Sequence, residues 1–503
     1  MPDKMIPFSV FTELRHTTLS GLSIAHCHGV FDLLHIGHIK HLSAAKAMAD
    51  ILVVSVTPDH YVNKGPGRPA FSIDLRMEAL AALSVCDYVL MSAWPTAIEA
   101  IERIQPQYYV KGQEYAQLDQ DITGNIDKER KAVEAVKGEL VFTQEVCYSS
   151  SHLLNQFYTR DDACGQFLQH LRAKYSAEHL LSAIDKLSGL KVLVVGESII
   201  DHYVYCDTMG KSGKDPVLSS LYRYEEVYAG GVLAIANHVA SLCDQVTVLS
   251  SLGEEQRQDK VITEKLQAHI KPIFVRKPGA PTLTKKRFVE RTSGQKLFEL
   301  YEMCDQPLPV EAAEAFYRAL IQHCEHADVV IVADYGHGLM TSECRAKLSS
   351  QARFLAINTQ ANAANLGFNV VSKYAKADLV CIAKRELQLN ARSTEKDHDL
   401  MLDLSKTLQT QLCLVTCGAQ GSKSYSAQYG FNQAPALTDC VSDAVGAGDA
   451  VLSVSALLCA MGVEDELIAL VANLVGAENV GIMGNKAYLN KQTLLKQISH
   501  ILK

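Results

Sequence analysis

A chain of 503 residues with 48% hydrophobic and 21% charged residues has the composition of a soluble globular protein and is too long for one ordinary domain. A formal charge of −8 gives no basic footprint for nucleic acid or an anionic membrane, and no apolar run reaches the length of a membrane span. The opening residues, Met1-Pro2-Asp3-Lys4, lack the apolar stretch of a signal peptide, so the expected location is the cytoplasm. The fourteen cysteines show no Cys-x-x-Cys spacing and lie mostly among apolar neighbours. They read as small core residues in a reducing compartment rather than as zinc ligands or disulfides.

In chain order, residues 1–22 form an extension ahead of a first domain over 23–158. A short apolar strand is expected from Ser23 to Cys27, followed by Gly29-Val-Phe31-Asp32-Leu-Leu-His35-Ile-Gly37-His38 and a helix. Two imidazoles around a glycine at a helix start suit the phosphates of a nucleotide. The helix end offers free N–H groups and partial positive charge, and Gly37 permits close backbone approach. Residues 159–188 are polar and helix-prone, and read as a helical linker. A second domain, 189–503, opens with the strand Lys191–Gly196. Apolar runs at Val246–Leu252, Val329–Ala333, Phe354–Ile357, Leu379–Ile382 and Leu412–Thr416 alternate with helical periods, which predicts an open α/β sheet. Near the end, Asp443-Ala-Val-Gly446-Ala447-Gly448-Asp449 precedes an apolar helix expected from Val451. Small residues at 446–448 leave successive N–H groups free to surround an anion. Asp449 at its mouth can take the proton of an attacking hydroxyl.

The first stretch resembles the HxGH motif of the nucleotidylyltransferase superfamily. Lys64-Gly-Pro-Gly-Arg68-Pro69, the helix with Arg76, Val110-Lys111-Gly112-Gln-Glu-Tyr115 and Ser149-Ser150-Ser151 resemble its later motifs, over about residues 23–157. The resemblance implies transfer of a nucleotidyl group to a phosphate monoester with release of pyrophosphate. His35 and His38 would bond the phosphates and Lys64 or Lys111 would neutralise charge. Gly29, Phe31, Asp32, Gly37, Gly112 and Ser149–Ser151 would line the nucleotide, with Asp32 supporting a histidine or Mg²⁺. ATP is the expected donor, with CTP possible.

The second stretch resembles the ribokinase-like (PfkB) sugar kinases, over about residues 190–485. Gly196-Glu-Ser-Ile-Ile-Asp201, Ala229-Gly230-Gly231, Ala333-Asp334-Tyr335-Gly336-His-Gly338, Glu386, Thr416-x-Gly418 and Gly421 fall on its motifs. By this resemblance Asp449 is the base, and Gly446, Ala447 and Gly448 form the anion hole. Thr416, Gly418 and Gly421 hold nucleotide, and Asp201, Gly230, Gly231 and Asn237 hold sugar. Glu386 helps hold Mg²⁺. The implied architecture is a Rossmann-like nucleotidylyltransferase domain followed by a ribokinase-like α/β domain with a small β-lid, through which such kinases often pair.

The two together, with Thr282-Leu-Thr-Lys285-Lys-Arg287, resemble the bifunctional ADP-heptose synthases with the domain order reversed. That implies sugar phosphate and nucleotide substrates, and a separate sugar-bisphosphate phosphatase acting between the two steps. The chain departs from the kinase pattern at Ala234, Ala383, Asn358 and Gln360. Those positions leave room for another sugar or for a catalytically silent, ligand-sensing kinase domain. An aminoacyl-tRNA synthetase reading of the HIGH motif lacks a KMSKS-like segment.

Overall fold

The computed structural model describes residues 4–62, 68–112, 125–143, 163–255, 258–438 and 441–502. Lys64, Ser149, Ser150 and Ser151 lie outside the described residues. The chain divides into two compact units, Met1–Ala173 with Gln492–Lys503, and Lys174–Lys491. The expected second domain therefore gives up its last twelve residues to the first unit. Within the expected linker, the described part forms helices Ala163–Lys174 and Ala177–Lys186, the latter capped by the Ser176 hydroxyl.

The first unit is built on a five-stranded parallel sheet. Its strands are β1 (Ile24–Gly29), β2 (Ile51–Val56), β3 (Tyr88–Met91), β4 (Tyr108–Gly112) and β5 (Glu139–Thr143). Their order is β3-β2-β1-β4-β5. The alternation of strand side chains divides the core. Leu52, Val54 and Val56 pack with Leu42 and Leu80 on one face, while Val53, Ile24 and Leu90 pack with Phe11 and Ile104 on the other. Each fully buried Leu or Ile contributes roughly 1.5–3 kcal/mol relative to exposure. The chain steps outward from β1 to β3, then returns to β4 on the other side, so the crevice between β1 and β4 is a topological switch point.

The second unit has a nine-stranded sheet. It comprises β6 (Lys191–Gly196), β9 (Gln245–Glu255), β10 (Lys271–Pro281), β13 (Val329–Asp334), β14 (Leu355–Thr359), β15 (Leu379–Ala383), β16 (Leu412–Thr416), β17 (Ser422–Ser426) and β18 (Gly430–Ala434). The order is β10-β9-β6-β13-β14-β15-β16-β17-β18, parallel except at the β16-β17-β18 edge. A separate four-stranded lid contains β7 (Ser198–Lys211), β8 (Leu218–Gly231), β11 (Thr284–Glu290) and β12 (Lys296–Glu302), in the order β12-β11-β7-β8. Leu218, Leu221, Tyr222 and Tyr224 of β8 and Phe298 and Leu300 of β12 are exposed on this lid. Here the switch point falls between β6 and β13, and the lid strands β7 and β8 begin and end beside it.

The helix expected from Val451 begins at Ala447 and runs to Ala460. Gly446, at φ +84°, turns the chain early enough to bring Asp449 into the first helical turn.

Candidate functional site

The cleft of the second unit is assembled at the ends of β6 and β13. At Gly196 an added Cβ would fall 1.9 Å from the Ala333 carbonyl, so only glycine lets these strands close. Glu197, next along, is buried and accepts from the Tyr335 and His337 N–H groups, each at 3.0 Å. Burial, then the charge of Asp334, pushes its carboxyl up to about 7. Asp334 accepts from the Gly336 N–H and the Tyr374 hydroxyl and pairs with Lys373. The turn 335–337 is thereby fixed on both sides.

Asp449 lies on the first turn of the helix Ala447–Ala460. The first helical N–H to bond back is that of Ala450, to the Gly446 carbonyl, so those of Ala447, Gly448 and Asp449 have no helix partner. Asp449 Oδ1 accepts from the Tyr335 hydroxyl at 2.8 Å. Burial pushes its carboxyl up to about 7, against the lowering effect of that bond. Asp443 holds the preceding loop. It accepts from the Tyr203 hydroxyl and the Lys296 ammonium of the lid, and from the N–H groups of Val445 and Gly484.

The lid contributes Asp201, Lys285 and Arg287. Asp201 pairs with Arg287 and accepts from Asn485 Nδ2 at 2.8 Å. Gly230 lies directly against this pair, since an added Cβ would sit 2.1 Å from Asp201 Oδ2. Gly231 turns at φ +59° to start the helix Val232–Ala240. Lys285 is buried, with its ammonium 5.3 Å from the Tyr301 ring centre and 5.8 Å from that of Tyr335. Burial lowers its pKa despite the neighbouring Asp201. The cleft thus brings Asp201, Gly230, Gly446, Ala447, Gly448 and Asp449 together.

Other expected residues are placed differently. Asn237 does not face the cleft contacts. Its Nδ2 donates to the Lys265 carbonyl and its Oδ1 accepts from the Gln267 N–H, so both ends of the amide tie its helix to that segment. Glu386 accepts from the N–H groups of Ala361 and Ala383, which makes it a helix cap as well as a buried carboxylate with a raised pKa. Thr416 ends β16, paired with Ala383 and Ser422. Gly418 is open. Gly421 is pressed against the Ala434 carbonyl, where an added Cβ would lie at 2.1 Å, so it serves the turn.

In the first unit, His35 caps the helix Ile36–Ala47, its Nδ1 accepting from the Gly37 N–H at 3.1 Å. That N–H, expected to face phosphate, is therefore occupied. The His35 and His38 rings lie 4.0 Å apart and Phe31 lies 5.6 Å from His38. Phe31 adopts φ +50°, uncommon for an aromatic residue and a mark of functional turns, and packs against Gly29. Asp32 is buried and pairs with Arg68 while accepting from the N–H groups of Ala70 and Phe71. It organises segment 68–71 rather than contacting a histidine in the hydrogen bonds described. Lys111, expected to meet phosphate, pairs with Glu129 at 3.0 Å and lies over the Tyr109 ring. Gly112 pairs with Thr143 across β4 and β5. His28, half-buried between Ser55 and Thr57, is held neutral, its pKa lowered to about 3 by desolvation and then by Lys111.

Among the described residues no cluster of three or more His, Cys, Asp or Glu side chains is placed to hold a metal, and no helix is long and apolar enough to cross a membrane. Mg²⁺ bound through substrate phosphates keeps several waters and needs one or two carboxylates. Glu386, whose oxygens each retain acceptor capacity, fits that demand.

These features describe α/β units built to handle phosphate groups. The family model for pfkB family carbohydrate kinases matches residues 190–491, more than half of the chain, and a cytidylyltransferase-like model matches residues 26–156. The chain belongs to the PfkB family of carbohydrate kinases and carries a cytidylyltransferase-like domain ahead of the kinase domain.

Curated relatives include the bifunctional protein HldE of Bradyrhizobium diazoefficiens. It is 26% identical over 320 residues, which cover 62% of this chain and 64% of that protein. HldE of Azotobacter vinelandii is 41% identical over 108 residues, covering 21% and 23%. The match therefore spans under two thirds of these relatives' length. Solved structures include Arabidopsis thaliana ribokinase with ribose and ATP, at 15% identity and TM-score 0.46, covering 62% of this chain and 99% of that one. Escherichia coli phosphofructokinase-2 with substrates and products aligns at 12% identity and TM-score 0.49, covering 60% and 97%.

Tyr335, Lys285, Arg287 and Asn485 are the cleft residues whose contacts sequence motifs did not reveal. The first three lie inside quoted motifs without an evident role, and Asn485 lies in none.

Proposed function

We propose that this protein is a bifunctional enzyme of nucleotide-sugar synthesis. The second unit phosphorylates a sugar phosphate, heptose 7-phosphate by preference, with ATP. The first unit transfers a nucleotidyl group, adenylyl by preference, to a sugar 1-phosphate and releases pyrophosphate. The observation that carries the kinase reading is Asp449 on the first turn of a helix whose leading N–H groups have no helix partner, facing a lid carboxylate.

In this mechanism the acceptor hydroxyl, held by Asp201 beside Gly230 and Gly231, gives its proton to Asp449 Oδ2. Its oxygen forms a bond to the γ-phosphorus as the bond from that phosphorus to the ADP oxygen breaks, and the electron pair leaves with ADP. The N–H groups of Ala447 and Gly448 stabilise the charge on the transferring group. Thr416 and Gly418 border the nucleotide. Mg²⁺ would supply charge neutralisation on the phosphates, and Glu386 would be the carboxylate that helps hold it.

In the first unit, His35 and His38 donate to phosphate oxygens of ATP or CTP at the start of their helix. Lys64 and Ser149–Ser151 complete the expected phosphate contacts. Catalysis there is positioning and electrostatic stabilisation.

Localisation is proposed as cytoplasmic. A homodimer through the exposed apolar face of the lid and a separate sugar-bisphosphate phosphatase complete the reading. The departures at Ala234, Ala383, Asn358 and Gln360 favour as second reading a transferase whose kinase-like unit only senses sugar or nucleotide. Incubation with Mg²⁺, ATP and candidate sugar phosphates, followed by mass spectrometry, separates the two. The first reading gives a bisphosphate product, and the second gives nucleotide binding without turnover.

A further inference from the structure

We propose that Tyr335 is a positioning residue for the phosphoryl-transfer base, its hydroxyl holding Oδ1 of Asp449 so that Oδ2 is presented to the acceptor hydroxyl. The inference rests on the kinase reading given above.

Its geometric basis is specific. The Tyr335 hydroxyl donates to Asp449 Oδ1 at 2.8 Å, and Oδ2 takes no hydrogen bond from any described residue. A carboxylate gripped at one oxygen has a defined direction at the other. The grip is itself rigid. The Tyr335 N–H donates to Glu197, and its carbonyl accepts from Asn362 Nδ2 at 2.8 Å and Asn365 Nδ2 at 2.7 Å. The ring is 2% exposed, so the hydroxyl has no other conformation to take at low cost. These backbone contacts survive removal of the hydroxyl, so Tyr335→Phe keeps the turn and loses the grip.

The bond also sets when the base is ionised. It favours the carboxylate, while burial and the charges of Asp201 on β7 and Glu386 on the helix Lys384–Ala391 oppose ionisation, and Lys285 on β11 favours it. The Cys381 thiol on β15 is pushed up first by burial, then by the charge of Glu386, and less by that of Asp449. Tyr335 itself is held protonated, first by burial and then by Asp449.

The test measures kcat and KM against pH for wild type and Tyr335→Phe, using heptose 7-phosphate and ATP. We expect kcat to fall by more than about tenfold near pH 6.5 and to recover only in part at higher pH, the acid limb moving up by about one unit and the plateau staying below that of wild type, with KM for ATP within twofold. A merely structural role would lower the rate equally at all pH values.

A second readout needs no turnover. Ionisation of Asp449 places a charge beside the Tyr335 hydroxyl, so the near-ultraviolet tyrosine difference spectrum of the wild type should titrate near neutrality. Neither Tyr335→Phe nor Asp449→Asn should show that component. An unmoved acid limb in Tyr335→Phe, or the spectral component persisting in that variant, would overturn the proposal. If the wild type phosphorylated no sugar phosphate, the kinase reading would fail and the spectral titration alone would decide whether Tyr335 grips Asp449.

Discussion

Replacing Gly230 by alanine adds one methyl group where the cleft has no space. The new Cβ would lie 2.1 Å from Asp201 Oδ2, 2.9 Å from Asp201 Cγ and 3.4 Å from Asn485 Nδ2. Gly230 has no positive φ, so the effect is steric and not one of backbone conformation. Asp201 has a short side chain with two rotatable bonds and is held at both oxygens, by Arg287 and by Asn485. It can yield only by giving up the Asn485 bond. Overpacking costs about 1–3 kcal/mol and a lost hydrogen bond to a charged group about 1.5–3 kcal/mol. The two overlap, so we predict a loss of about 3 kcal/mol, which should lower the transition of the second unit, Lys174–Lys491, by about 4–5 °C. Scanning calorimetry reads this directly, with Gly213→Ala as control, since an added Cβ there meets nothing within 4 Å. The acceptor-sugar KM should rise as well, because the displaced carboxylate is the proposed sugar contact. A Gly230→Ala transition within about 1 °C of wild type, with KM unchanged, would refute the steric argument.

Kinase turnover should fall with acidity because the base works ionised. With the Asp449 carboxyl at about 7, the rate at pH 6 should be about a tenth of its plateau. The same group makes the folded state bind more protons than the unfolded one between the ordinary carboxyl range and about 7. Stability therefore falls as pH rises through that window, and urea titrations of Asp449→Asn should show a flatter dependence than wild type. Arg76 is fully buried and donates to the Phe71, Val30 and Thr57 carbonyls and to Asp59. Arg76→Met should destabilise the first unit by about 2–4 kcal/mol in denaturant titrations. Lys111→Met leaves the Glu129 carboxylate buried without its cation, and should cost about 3–5 kcal/mol, with Glu129→Gln in the same chain restoring much of it.

What the sequence disclosed follows from how local each signal is. Buried central strands such as Lys191–Gly196 and Leu412–Thr416 stand out because both faces are apolar, and the structure keeps those bounds. The lid leaves a weaker pattern in the sequence. β8 (Leu218–Gly231) is largely exposed, and it mixes Tyr, Arg and Glu without clean alternation. The apolar content of the Asp449 helix begins at Val451, four residues after the helix itself, because Gly446 and its left-handed turn decide where the helix starts. The family's GG-x-x-N pattern has Ala234 at its Asn position, and Asn237, three residues later, is the residue the resemblance offers as a sugar ligand. In space its amide is taken up by Lys265 and Gln267, because three positions beyond Ala234 carry it nearly one helical turn further along the helix than the family's Asn. Asn485 reaches Asp201 across 284 residues of chain. Such a pairing depends on topology and leaves no local trace.

The most direct test of two separate phosphate chemistries is a double dissociation in one mass-spectrometric assay. The whole protein is given Mg²⁺, ATP and heptose 7-phosphate for the kinase step, and a sugar 1-phosphate with ATP or CTP for the transfer step. Asp449→Asn should lower phosphorylation by roughly 10²–10⁴-fold and leave nucleotidyl transfer intact, while His38→Ala should do the reverse. Loss of both activities in either variant, with the fold preserved by circular dichroism, would contradict the account.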